Sequence, residues 1–378
     1  LYPDLNQTLQ PVAKKSTGAF AMSPEQPEEL IAEPSRPAAC ASRFAYPARA
    51  STGQVLTFKF GGTSLLGAER MLRAAGLVCE ARVRASIVVV VSAMQGVTDR
   101  LLAVARRLQA GCRTDARRDA QHVFRIHLEV LRDLELAPQE QQRVVRDLQL
   151  LGNQLLHDAS PEVQPSPALR AALQDRLASY GERLSARLFA AALEKSGVRV
   201  VPLSSSDFVV TCDTFRDARP HIDETRRRGR EILLPLFEDG MVPVVTGFIG
   251  ATRDGRVTTL GRNSSDFSGA LIAHVVDADE LVIWTDVDGI YTANPHEFPE
   301  AKLLHELSYD QAHALAAAGA KVLHARVLPL AAETEMVVWV RNTFNPRVRG
   351  TRIGPAMQND SSPAALEGSH NPIARGEA

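Results

Sequence analysis

A chain of 378 residues is long enough for one large or two small domains, and 45% hydrophobic with 23% charged residues is ordinary for a soluble globular protein. A formal net charge of −1 gives no electrostatic case for a nucleic-acid or membrane partner, and no apolar run reaches the length of a membrane span. Cys40, Cys79, Cys112 and Cys212 show neither a CxxC pair nor Cys/His spacing, so no disulfide framework or zinc site is expected; a reducing compartment such as the cytoplasm fits.

Residues 1–51 are rich in Pro, Ser, Ala and Glu without a sustained period and read as a disordered linker. The first residue is not Met, so a fragment or a processed form is expected. Acidic residues there speak against a transit peptide, although plastid import stays open. A folded core follows over 52–354. Val55 to Phe60 predicts a strand and Gly67 to Arg84 a helix; Ile87 to Val91 is a continuous β-branched run suited to a strand covered on both faces. Val97 to Gln109 predicts a helix, and Asp119 to Leu156 a long helical stretch broken near Ala137-Pro138. A helix over Gly181 to Lys195 precedes a strand over Arg199 to Leu203. Thr225 to Glu238 predicts a helix whose ETRRRGR stretch is a solvated face; Val242 to Phe248 predicts a strand. Ser265 to Val276 (helix), Glu280 to Thr285 (strand), Tyr309 to Ala317 (helix) and Val337 to Arg341 (strand) complete the order. Residues 355–378 have linker character again. Strands alternating with helices predict an α/β fold, a three-layer α/β/α sandwich with a mainly parallel sheet, in which ligands gather where strands end.

The motifs fall at those ends. In KFGGTS, Gly61 and Gly62 follow a strand closely enough to bring backbone N–H groups to a phosphate, and Lys59 places a point charge there. The lysine precedes the glycines, so this is not a Walker A sequence. In VVVVSAMQGVTDRL, Ser92 closes the next strand and Thr98 stands near a helix start; both are hydroxyl donors, and plain capping is the alternative role.

KFGGTS followed by a strand ending in SAMQGVT resembles the aspartate kinases within the amino acid kinase family. The similarity extends through SYGERLSARL, TGFIGATRDGRVTTLGRNSSDFSGALIA, VIWTDVDGIYTANP, AAGAKVLHARVLPLA and RNTFNPRVRGTRIG. It implies that Glu182 holds the substrate's amino group, that Phe248 and Ser265 line its pocket, and that Arg262 pairs with its α-carboxylate. It implies that Asp266 orders Lys59, and that Thr285, Asp286, Tyr291 and Lys321 serve the nucleotide. Trp284 and His324 are read as structural. The chain departs from the family pattern at Ser264, where glycine is usual, and at Asn294 and His296, where aspartate and arginine are frequent.

The implied reaction is attack of the β-carboxylate of L-aspartate on the γ-phosphoryl of MgATP, the first step toward lysine, threonine and methionine. Mg²⁺ keeps its waters, so no carboxylate cage is expected. The alternatives are a kinase of glutamate, N-acetylglutamate or carbamate, and a catalytically weak binding or regulatory module that keeps the fold. The residues after Gly354 are too few for a βαββαβ regulatory ACT domain. A stand-alone enzyme, one end of a fusion, or an incomplete chain all accommodate this. A homodimer is implied by resemblance alone.

Overall fold

Apolar strands, largely buried, form the centre of the fold. The computed structural model describes residues 53–355 apart from 161–165, 263, 294, 296, 318–322 and 325. The expected linker and, from residue 356, the expected tail lie outside these, as do Lys321, Asn294 and His296.

The strands in chain order are β1 (Val55–Phe60), β2 (Ser86–Val91), β3 (Val200–Leu203), β4 (Val210–Thr211), β5 (Val242–Thr246), β6 (Ile249–Thr252) and β7 (Val257–Thr259). There follow β8 (Glu280–Thr285), β9 (Ile290–Tyr291), β10 (Leu303–Leu304), β11 (Glu306–Ser308), β12 (Val337–Asn342) and β13 (Thr351–Gly354). The helices are α1 (Ala68–Ala81), α2 (Val97–Gln109), α3 (Arg113–Asp133), α4 (Pro138–Asp158), α5 (Pro167–Lys195), α6 (Ile222–Glu238), α7 (Ser265–Val275), α8 (Tyr309–Ala317) and α9 (Val327–Glu333).

Eight strands form one sheet in the order β11-β13-β12-β8-β1-β2-β5-β3, antiparallel only between β12 and β13. The period-two pleat divides each strand between two cores. Phe58, Phe60, Val89 and Val91 pack with α1–α5 on one side. Val88, Val90, Leu281 and Ile283 pack with α6, α7 and α9 on the other. The expected three-layer α/β/α sandwich is therefore what forms.

The same pleat explains the position of Lys59. With Phe58 and Phe60 committed to the first core, Lys59 must face the α7 layer. Gly269 of α7 makes room for its stem: a Cβ there would stand 3.1 Å from Lys59 Cβ. Because β1 lies between β2, which follows it directly, and β8, which arrives some 190 residues later, the sheet order reverses here. A crevice at the carboxyl ends of these strands is the topological consequence.

Several boundaries differ from the sequence reading. Helix α5 begins at Pro167, well before Gly181, because Gly181 is an interior close-approach residue and not a start. A Cβ on it would stand 2.7 Å from Ala93 Cβ. Helix α3 begins at Arg113, ahead of the expected Asp119. Strand β5 ends at Thr246, not Phe248, which has φ +67° and turns the chain into a small sheet of order β4-β6-β7. The arginines of α6 are only partly the solvated face expected: Arg227 is exposed, whereas Arg226, Arg228 and Arg230 are half-buried. Arg226 and Arg230 reach His274 O and Val275 O at the end of α7 and pair with Asp277, and Arg228 pairs with Glu224.

Candidate active site

The crevice contains a cleft of about 470 Å³. Lys59 comes to it from β1, Gly62 from the turn that follows β1, Ser92 from the end of β2, and Thr98 from the first turn of α2. Glu182 arrives from the middle of α5, and Phe248, Arg262, Ser265 and Asp266 from the turn after β5 and the start of α7. Nine of the expected site residues, drawn from sequence positions more than 200 residues apart, thus line one cavity.

Lys59 is 6% exposed, and its Nζ lies 2.6 Å from Asp266 Oδ1. Asp266 sits in the first turn of α7, where the helix's unpaired N–H groups favour a carboxylate. The pair fixes an ammonium at the strand end against Gly61, where a Cβ would come 3.7 Å from Nζ.

The two glycines do different work, which corrects the expectation that both amides are open to a phosphate. Gly61 N–H is engaged by Trp284 O at 3.2 Å, tying β1 to β8. Gly62 supplies close approach: a Cβ would stand 2.6 Å from Ala93 O and 3.0 Å from Gln95 N, both backbone atoms. Its own carbonyl accepts from Gln95 N–H at 3.2 Å, holding the β1 and β2 turns together.

Glu182 is 3% exposed. Its Oε1 accepts from Ala93 N–H at 3.1 Å, while Oε2 is buried with no hydrogen-bond partner. Burial pushes its carboxyl up to about 8, against the lowering effects of the Ala93 N–H, its own backbone N–H and the Lys59 charge. A buried acceptor of this kind suits a cation brought in by a ligand.

Ser92 Oγ donates to Ser265 Oγ at 2.9 Å, linking β2 to α7. Phe248 is held in its left-handed conformation by Ser268 Oγ, which accepts its N–H at 2.7 Å. A phenylalanine with positive φ at a cleft is the kind of strain that a surrounding network must impose. Arg262 is at the rim: its side chain is 78% exposed and donates to Asp99 Oδ1 at 2.9 Å.

Of the expected nucleotide residues, Thr285, Asp286 and Tyr291 do not line this cleft. Thr285 and Asp286 stand at the end of β8, one step beyond the Phe60–Trp284 pair, with Thr285 Oγ1 donating to Asp286 Oδ1 at 3.2 Å. Tyr291 is in β9, its phenol raised by burial and by Asp288. Trp284 is core, stacked on Phe60 at 6.2 Å. His324 stacks on Phe267 at 6.1 Å, in keeping with a structural role. Among the described residues, no group of three or more His, Cys, Asp or Glu is placed to hold a metal ion, and no helix is long and apolar enough to cross a membrane.

Sequence reasoning missed Asp99, Ser268 and Gly269. Asp99 follows a flagged threonine, and a carboxylate on a helix's first turn is an ordinary sight. The packing roles of Ser268 and Gly269 depend on which strand α7 crosses, a fact no local pattern carries.

The model of the amino acid kinase family matches residues 55–342. A doubly covered parallel sheet with a lysine and a glutamate converging at its reversal point thus has a family: the chain belongs to the amino acid kinase family. It is 35% identical to lysine-sensitive aspartokinase 3 of Escherichia coli, over 81% of this chain and 65% of that protein. It is 32% identical to the chloroplastic aspartokinase 1 of Arabidopsis thaliana, over 80% of this chain and 52% of that one. Among solved structures it is similar to E. coli aspartokinase III in complex with aspartate and ADP in its R-state, with a TM-score of 0.70 and 32% identity; the match covers 81% of this chain and 66% of that one. The chain therefore spans a little under two thirds of the length of these relatives, and less of the plant enzyme.

Proposed function

We propose that this protein is an aspartate kinase, transferring the γ-phosphoryl group of MgATP to the side-chain carboxylate of L-aspartate to give 4-phospho-L-aspartate. The observation that carries the reading is the orphaned Oε2 of Glu182, a residue that lines the same cleft as the buried Lys59–Asp266 pair. One is an acceptor suited to an amino acid's ammonium. The other is a cation suited to phosphoryl oxygens. Aspartate and ADP are what the similar E. coli structure is described as binding.

In this mechanism an oxygen of the substrate carboxylate attacks Pγ as the bond from Pγ to the β,γ-bridging oxygen breaks, and ADP leaves with that electron pair. The carboxylate is already ionised at neutral pH, so no general base is required. The protein's task is to hold two anions in line and offset the charge of the transition state. Glu182 takes the ammonium. Arg262 exchanges Asp99 for the α-carboxylate, to which its planar fork is matched. Lys59, oriented by Asp266, meets the transferring phosphoryl, and the Gly62 amide offers a fixed donor beside it. Mg²⁺ enters as part of the nucleotide substrate. Thr285, Asp286, Tyr291 and Lys321 are proposed for its adenosine side.

The compartment proposed is the cytoplasm, with a plastid as the alternative. A homodimer and a place in a larger fusion are further proposals; a bifunctional aspartokinase/homoserine dehydrogenase of Haemophilus influenzae is 28% identical over 80% of this chain. A substrate panel of aspartate, glutamate, N-acetylglutamate and carbamate with MgATP, read as hydroxamate or as ADP release, tests the reading. Turnover confined to aspartate supports it; turnover with another acid and none with aspartate refutes it.

A further inference from the structure

Ser264 is fully buried, lines the cleft, and its Oγ has no hydrogen-bond partner. It precedes α7, the position at which serine usually caps a helix, yet its hydroxyl makes no cap hydrogen bond. The residue is not loosely held. Its carbonyl accepts from Ser268 N–H at 2.8 Å and from Ser268 Oγ at 3.1 Å, and Ser268 Oγ also receives Phe248 N–H. A fixed backbone therefore carries an unused donor, one residue before Ser265, which accepts from Ser92, and two before Asp266, which pairs with Lys59.

Of the buried atoms without a hydrogen-bond partner on residues lining the cleft, Asp266 Oδ1 is ion-paired with Lys59 and the functional reading absorbs Glu182 Oε2, which leaves Ser264 Oγ. A dicarboxylic amino acid brings one ammonium and two carboxylates, so oxygen acceptors are what it has in excess. The α-carboxylate partner, Arg262, is at the exposed rim. Ser264 lines the same cleft with no exposed surface, at the start of α7, which also carries Asp266 and whose N-terminal potential favours an anion. Glycine, the residue usual here by the family resemblance, supplies no donor.

We propose that Ser264 contacts substrate and determines specificity: its hydroxyl donates to the side-chain carboxylate of the acceptor amino acid, holding the oxygen that does not attack. This rests on the aspartate kinase reading. A buried hydroxyl with a carboxylate partner discriminates against an acceptor whose side chain presents no oxygen there.

The test is Ser264→Ala, assayed for KM of aspartate and of MgATP and for the Tm of the protein without substrate. The expected result is a KM for aspartate raised about tenfold, equivalent to about 1.4 kcal/mol, with KM for MgATP within twofold. The Tm should be equal or higher, because alanine removes a buried hydroxyl that has no partner. An unchanged KM for aspartate, or a raised KM accompanied by a fall in Tm, overturns the proposal, since either makes Ser264 a packing residue. Failure of the parent reading is distinct: wild-type protein would then not phosphorylate aspartate at all, before any variant is made.

Discussion

Glu182→Gln removes one charge and keeps the shape of the side chain, so it isolates what the carboxylate does. In the free enzyme burial holds Glu182 at about 8. At pH 7 only about a tenth of the molecules carry the charge that an ammonium needs. Binding the ammonium must therefore draw the proton off, and kcat/KM for aspartate should rise close to tenfold between pH 6 and 7, continue upward to pH 8, and level above it. In the variant that limb should vanish. Above pH 8 its kcat/KM should lie about 10²-fold below wild type, the order expected for a charge-assisted hydrogen bond in a buried site. Stability should move the other way. A carboxyl whose folded pKa is raised from 4.5 to about 8 loses stability as pH climbs through that interval, because the unfolded chain gives up its proton first. At pH 8 the cost is on the order of a few kcal/mol, so Glu182→Gln should melt higher than wild type there and equally at pH 4.5. Steady-state kinetics over pH 6–9 with thermal melts at both pH values reads both effects. A variant that keeps the rising limb, or melts lower than wild type at pH 8, refutes the assignment of Glu182.

Two other predictions concern the scaffold. Gly62→Ala would force a methyl to 2.6 Å from Ala93 O, where only backbone movement relieves the clash, whereas Gly61→Ala meets nothing closer than 3.7 Å; a loss of about 1–3 kcal/mol in urea unfolding is expected for the first and clearly less for the second. His127, buried on α3 with Nδ1 on Val123 O and Nε2 unpartnered, is lowered to about 4 by burial. The unfolded chain protonates first as pH falls from 6.5 to 4, so about 3 kcal/mol of stability should be lost across that window and largely kept by His127→Leu, as urea midpoints at pH 7.5 and 4.5 will show.

Much of this was legible in the sequence because the signals are local. A continuous Ile-Val run suits a doubly covered strand, and the glycine and lysine of KFGGTS belong to one strand end. Alternation of strand and helix then gave the parallel sheet, and the resemblance gave the site, most of which does converge on one cleft. What stayed hidden depends on contacts distant in sequence. The first half of α5 is missing from the expected helix, which starts at Gly181, because the close approach of Ala93 to that glycine is a contact between positions far apart in sequence. The positive φ of Phe248 is imposed by Ser268, twenty residues on. The engagement of the Gly61 amide follows from β8 lying beside β1, and Ser264 looked like a departure from pattern before its hydroxyl was found without a partner.

The most direct test of the account is turnover of aspartate with MgATP by wild-type protein and Lys59→Ala in parallel, read as hydroxamate, with aspartate affinity measured by calorimetry. Lys59 is assigned to the transition state's charge, so the variant should lose roughly 10²-fold or more in kcat while aspartate affinity changes by less than about fivefold. A variant that keeps near-normal turnover would contradict the central claim.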